Sequence, residues 1–531
     1  MYDIKMLHLF SLLFKLFAIY TIFYKTSIGF SVILTSNYTV GKDCKKTCKN
    51  FYIAYNKTKR HFRSRNMSVL FSILAAVAVP HPPLIFPEVG HGREQTIEQT
   101  VKSYRQAMKF LASYKPDTVI LVSPHTEVYA DYFHVSGGFG SEGNFAAFGA
   151  PQVKVRVEYD HEFVTALELA CSSQNFACGT KGERDPSLDH GSLIPLKFLN
   201  EVWTDYKVVR IGISGLSLSQ HYKLGQIIRS VSEDLGRRMV FIASGDLSHR
   251  LLDDGPYGFA PEGPVFDARI TKALDKGDFG DLLEFDPQFC EAAGECGHRS
   301  FVIMAGALDG KAVESKLLSY EGPFGVGYGV AEFAVKGSDE SRRFGMQYAE
   351  KQKQKIAQRR AKEDIYVSFA RKCVEAFVKT GKPLDFPDNL PEELLQNKAG
   401  VFVSLKMHGE LRGCIGTIEP TSENIAREIW RNAVSACSKD PRFNPVQPEE
   451  LDDIVYSVDV LTPARPVTDI TELNPKVDGI IVQNGQRRGL LLPDLEGVDT
   501  IDQQIAIARQ KAGIAPSEPV DMFSFQVKRH Y

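Results

Sequence analysis

Three short apolar runs in this chain end on a histidine, and that recurrence constrains the fold more than any other feature. ILAAVAVP leads into His81, VILVSP into His125 and MVFIASGDLS into His249. Runs of this length, rich in Val and Ile, read as strands buried on both faces. Between and around them lie stretches with helical periodicity, near 94–113, 161–171 and 219–235. Strands separated by helices predict an α/β domain with a largely parallel central sheet, whose strand ends open a crevice. A histidine at such an end stands on the rim of the crevice, and three from different strands can converge on one point.

The chain has 531 residues, too many for one core at roughly 100–200 residues per domain. Its 63 Lys and Arg balance 65 Asp and Glu, so no nucleic-acid partner or anionic membrane is expected on charge grounds. Nine cysteines, odd in number and irregularly spaced, fit a reducing compartment better than a disulfide framework, and the cytoplasm is the expected location.

Composition shifts along the chain divide it. Residues 1–66 form an extension, with a start at Met67 the favoured reading; the alternative is that LHLFSLLFKLFAIYTIFY, 7–24, interrupted by His8 and Lys15, is a weak membrane anchor. Cys44 and Cys48 lack a third cysteine nearby and are read as incidental. Residues 67–336 carry the α/β pattern, 337–359 read as a charged, solvated linker, and 360–531 read as a smaller α+β domain. That last segment opens on the amphipathic helix IYVSFARKCVEAFVKTG. It continues through strand-like runs such as GVFVSLKM, IVYSVDVL and GIIVQNG.

Converging imidazoles suggest a metal. Neutral imidazole suits divalent iron and zinc, and two histidines with one carboxylate leave coordination positions open. His81 and His125 are the candidate histidine ligands and Glu295, in AAGECGHRSF, the candidate carboxylate. A single histidine at a strand end is more often a hydrogen-bonded structural residue; the recurrence argues the other way. His190, in LDHGSLIPL, reads equally as a helix-cap residue, and His298 as a packing or supporting residue. Asp246 and Asp189 read by default as loop acids, the alternative being that they orient His249 and His190.

The set VPHPPLIFPEVG, VSPHTEVY, LDHGSLIPL and ASGDLSH resembles the class III extradiol ring-cleavage dioxygenase superfamily. That group includes the protocatechuate 4,5-dioxygenase beta subunit and the Memo-like proteins, and the resemblance covers residues 67–336. It implies ferrous iron, with zinc or another divalent metal as alternatives, held by His81, His125 and Glu295. It also implies His249 as catalytic acid–base, or alternatively as a ligand, and His190 as a substrate-side histidine. The implied substrate is a catechol-type aromatic compound. The glycine- and aromatic-rich stretch 137–150, GGFGSEGNFAAFGA, suits a lid.

In the last segment the densest motif is LRGCIGT, 411–417. An exposed cysteine beside a guanidinium would hold more thiolate, which makes Arg412 and Cys414 a candidate functional pair; GCIG also reads as a close-packed strand. LRGCIGT, DPRF, SVDVLTPARPV and GIIVQNGQRRGLLLP together resemble the AMME-region domain, AmmeMemoRadiSam system protein A, over residues 360–531. The fusion implies two components of a three-part system whose third part is a radical-SAM protein. No CxxxCxxC occurs here, so that partner would be a separate chain; a second copy of this chain is a further candidate partner. The leading expectation is therefore an iron-dependent extradiol dioxygenase-like oxidoreductase with an accessory domain. The alternative is a Memo-like metal-binding component of a modification system without dioxygenase activity.

Overall fold

The computed structural model describes residues 73–531, apart from residues 388, 408 and 496. The apolar stretch 7–24, Cys44, Cys48 and Met67 lie outside the described residues. Among the described residues, no helix is long and apolar enough to cross a membrane.

A six-stranded sheet organises the first part of the chain. Its strands are β1 (Ile73–Val79), β2 (Thr118–Ser123), β3 (Lys207–Gly212), β4 (Met239–Ser244), β5 (Lys311–Glu321) and β6 (Tyr328–Ser338), in the order β3-β2-β4-β1-β6-β5. The first four pair in parallel, and β6 and β5 extend the sheet antiparallel at one edge. Parallel neighbours need crossovers, which α1 (Glu98–Ser113), α2 (His161–Ser173), α3 (His190–Asn200) and α4 (Leu218–Leu235) supply. They are followed by α5 (Glu262–Lys276) and α6 (His298–Ala307). Successive strand residues feed opposite faces. Ile120, Val122 and Phe241 join a core with α2, α4, α5 and α6, while Val119, Leu121, Val240 and Ile242 join a second core with α1 and α3. Burial on both faces is why these strands read as continuous apolar runs.

Helices α4 and α6 cross at a pair of glycines. A Cβ at Gly225 would stand 2.0 Å from the Ile303 carbonyl oxygen, and one at Gly306 would stand 2.0 Å from that of Tyr222. The two backbones touch because both positions lack a side chain.

The segment read as a charged linker contains helix α7 (Phe344–Arg360). Phe344 and Tyr348 pack on the first core, and Lys351 Nζ lies 2.8 Å from Glu284. At its far end Arg360 donates to the Leu451 carbonyl oxygen at 2.6 Å. Most of its residues face solvent, which is why the sequence reads as solvated; two aromatic residues and a few charges are enough to seat it.

The last part of the chain is a mostly antiparallel sheet with helices. It comprises α8 (Ile365–Thr380), β7 (Val401–Met407), β8 (Glu410–Gly416), α9 (Ile425–Ser438), β9 (Ile454–Leu461), β10 (Asp478–Asn484), β11 (Arg487–Leu491), α10 (Ile501–Ala512) and β12 (Asp521–His530). The strand order is β8-β7-β9-β12-β10-β11. Helices α8 and α9 cover one apolar cluster with β7 and β9, and α10 covers another with β10 and β11.

Candidate metal centre

The parallel strands β1 and β2 both stop at a proline, Pro80 and Pro124, which cannot donate to the ladder. The next residue in each case is a histidine, so His81 and His125 emerge side by side at the carboxyl edge of the sheet. Their Nε2 atoms lie 3.0 Å apart. His190 is the first residue of α3, whose amino end Asp189 caps by accepting from the Ser192 amide at 2.9 Å. This brings the His190 ring to within 4.2 Å of the His125 ring and 5.3 Å of the His81 ring, centre to centre. His249 lies in the loop after β4, near enough to His81 to lower its pKa and near enough to His125 to be lowered by it. Its ring stacks on that of Tyr257 at 5.1 Å.

Hydrogen bonds fix the His81 tautomer. Ser244 Oγ gives its proton to the Gly191 carbonyl at 2.6 Å and therefore accepts from His81 Nδ1, 3.0 Å away. Nε2 of His81 is left with a lone pair turned toward His125. Cys296 Sγ stands 3.5 Å from the same nitrogen. The donor atoms of His81, His125 and Cys296 all lie within 4.8 Å of one another. Two nitrogens each about 2.1 Å from one ion, at a right angle, would stand about 3.0 Å apart, so the imidazole pair has the spacing of two ligands.

Cys296 is held in place through main chain. The Asp246 amide points at its sulfur at 3.2 Å, and the Gly297 amide donates to the Asp246 carbonyl at 2.9 Å. The turn carrying the cysteine presses directly on the end of β4: a Cβ at Gly245 would lie 2.0 Å from Gly297 Cα.

Burial sets the charge state of the cluster. It holds the His81 pKa well below the usual imidazole range, and the neighbouring rings of His125, His190 and His249 push in the same direction. Burial lowers His125 against the opposing carboxylate of Asp189. His190 and His249 are each brought down to about 4, first by burial and then by His125. All four rings are thus neutral at pH 7, the form that binds metals. Burial also pushes Asp246 up to about 7. Its carboxylate accepts from the His81 amide at 2.7 Å, so among the site residues it braces His81. The Asp189 carboxylate is engaged with Ser123 and Ser192.

Glu295 does not join these histidines. Its carboxylate accepts from the His298 amide at 2.6 Å, capping α6, and it groups with Cys290 and His298. Adjacent residues of the turn face opposite ways, so Cys296 occupies the place beside His81. The sequence signal for Cys296 is a soft donor next to the acid in AAGECGHRSF, flanked by a glycine that allows close approach.

In the last part of the chain, Arg412 is committed to Glu450 through two hydrogen bonds of 2.7 and 3.0 Å. The guanidinium near Cys414 is instead that of Arg442, which donates to the Cys414 carbonyl at 3.1 Å and to Asp440 at 2.7 Å. Arg442 brings Asp440 down to about 2. The Cys414 thiol, 3.2 Å from Ser404 Oγ, is pushed up by burial despite Arg442.

Comparison with known proteins gives two family matches. Residues 75–331 match the catalytic LigB subunit of aromatic ring-opening dioxygenase, and residues 367–530 match AMMECR1. A Clostridium acetobutylicum protein, CA_C1420, is 40% identical over 470 residues, covering 85% of this chain and 98% of its own length. A Thermotoga maritima protein is 52% identical over 170 residues, 32% of this chain and 98% of its own length. The crystal structure of Pyrococcus horikoshii protein PH0010 aligns with 32% of this chain and 89% of its own, at 33% identity and a TM-score of 0.30. The chain belongs to the family, shared with the clostridial protein, in which a LigB-type segment is followed by an AMMECR1 segment.

Proposed function

We propose that the first part of the chain is a metal-dependent oxidoreductase of the extradiol type, acting on a catechol-like aromatic compound, with the AMMECR1 segment in an accessory role. The observation that carries this reading is the convergence of His81 Nε2, His125 Nε2 and Cys296 Sγ beside two further neutral imidazoles. Two nitrogens and one sulfur are a donor set for zinc or copper, and the imidazole pair also suits ferrous iron. With ferrous iron bound, the centre supplies Lewis-acid and redox chemistry toward a catechol and dioxygen. His249 takes up the proton released by a phenolic hydroxyl, and His190 donates to developing negative charge on oxygen. The exposed ring of Phe148, edge-on to His190 at 5.6 Å, and Tyr257 on His249 offer aromatic faces to a planar ring. Phe148 lies in the connection of the hairpin Gly140–Phe145 and Ala150–Glu158, within the stretch read as a lid. The seven cysteines of the described residues are free thiols, which fits the cytoplasm.

Cys296 favours a second reading. A thiol in place of a carboxylate suits a Memo-like metal component that works with a separate radical-SAM protein and cleaves no ring. Anaerobic purification of the full chain, metal analysis and a catechol panel with oxygen separate the two. The first reading expects about one iron at this centre and a yellow ring-opened product. It also expects His249→Ala to abolish turnover, with iron retained. Bound metal with no turnover on any catechol sinks the dioxygenase reading, and a centre that takes up no metal sinks both.

A further inference from the structure

A second constellation of donor atoms lies on the other side of the turn that carries Cys296. Cys290, Glu295 and His298 present one sulfur, one carboxylate and one ring nitrogen within 4.8 Å of one another. The geometry points to a second divalent-cation site of the zinc class, held by Cys290 Sγ, a Glu295 carboxylate oxygen and His298 Nδ1.

The histidine tautomer supports it. His298 Nε2 lies 2.8 Å from the Leu282 carbonyl oxygen. A carbonyl only accepts, so Nε2 carries the proton and Nδ1 turns its lone pair inward. A histidine that donates one ring N–H to a backbone carbonyl and offers the other nitrogen has the arrangement usual in metal-ligating histidines. That nitrogen is 3.6 Å from Cys290 Sγ. A tetrahedral ion with bonds of about 2.3 Å to sulfur and about 2.1 Å to nitrogen places the two about 3.6 Å apart.

Glu295 is fixed by its bond to the His298 amide, so its carboxylate is positioned without a cation. All three side chains line a cavity of about 610 Å³, walled also by Leu283, Phe285 and Tyr348. Three protein ligands beside an accessible cavity is the pattern of zinc sites that keep one position for water or a ligand. Arg299 lines the same cavity. The charges are compatible, because thiolate and carboxylate together neutralise a dication and leave no net positive charge facing the guanidinium. Binding releases the thiol proton to solvent.

The test uses the full chain, stripped with chelator and titrated with zinc by calorimetry and elemental analysis. His81→Ala/His125→Ala removes the imidazole pair of the first centre, and this double variant is expected to keep one zinc per chain. Adding Cys290→Ser, or Glu295→Gln, which preserves the helix cap, is expected to weaken that zinc at least 100-fold. A folded double variant that binds no zinc, or one whose zinc is unaffected by both added substitutions, overturns the proposal. Should the double variant fail to fold, cobalt replaces zinc in the parent chain and in its Cys290→Ser form. The sulfur-to-cobalt absorption is expected to fall on losing Cys290, and an unchanged spectrum overturns the site. A parent chain whose single zinc depends on Cys290 and not on His81 leaves this site standing and the first centre without support.

Discussion

His221 shows how one buried side chain ties stability to pH. It is fully buried, accepts from the Ser214 amide at Nε2 over 3.2 Å, and therefore donates from Nδ1 to the Ser217 carbonyl at 2.9 Å. Protonation would break the first bond, and burial lowers its pKa to about 3. The unfolded chain protonates this residue near its ordinary value of about 6.5. Between those values the unfolded state binds more protons, so stability is complete above pH 6.5 and is lost as pH falls toward 3. The loss reaches on the order of 3 kcal/mol at pH 4. Urea unfolding of His221→Gln between pH 4 and 6 is expected to show a pH slope shallower by about 1.4 kcal/mol per unit than the parent; equal slopes would contradict it. At this scale the histidines were legible, since His81, His125 and His249 each follow an apolar run that ends at a sheet edge. Which of Glu295 and Cys296 faces them was not, because the direction of a side chain in a turn depends on backbone angles that a four-letter motif does not encode.

Among the elements, α4 and α6 cross with their backbones in direct contact. Gly306→Ala would drive a methyl into the Tyr222 carbonyl, and neither backbone can yield without moving its helix. Overpacking of this kind costs about 1–3 kcal/mol, so the urea midpoint of Gly306→Ala is expected to fall clearly below that of the parent; an unchanged midpoint would show that the helices can separate freely. Because α6 begins two residues after Cys296, the same substitution disturbs the platform from which that turn springs. The strands that lead into His81, His125 and His249 and helices such as α4 were legible, since burial on two faces or one leaves a strong periodic pattern; the antiparallel pair β5 and β6 was not, β5 being mostly half-buried at the sheet edge. Helix α7 was not: only Phe344 and Tyr348 tie it to a core, and two residues make no period.

At the scale of the molecule, the apolar clusters of the described residues segregate by sheet. Phe241 and Val240 belong to clusters built on the first sheet, while Val403 and Ile480 belong to clusters built on the second. Cores that share no apolar residues unfold as separate units unless a large interface couples them. Calorimetry of the full chain is expected to resolve two transitions. Phe241→Ala, at a cost of about 3–5 kcal/mol, should lower one midpoint and leave the other in place; a joint shift of both would show coupling. The succession of an α/β and an α+β pattern was legible from strand spacing. The pairing order of the strands was not, since it depends on contacts between residues far apart in the chain.

One further consequence follows from the bare main chain at Gly245 and Gly297. Strand end and turn meet there with nothing between them, a Cβ on Gly245 falling 2.0 Å from Gly297 Cα. The distance from sulfur to imidazole is therefore gauged by the thickness of the polypeptide itself, and one methyl group at position 245 would act as a shim, backing Cys296 away from His81 while leaving every donor atom in the sequence.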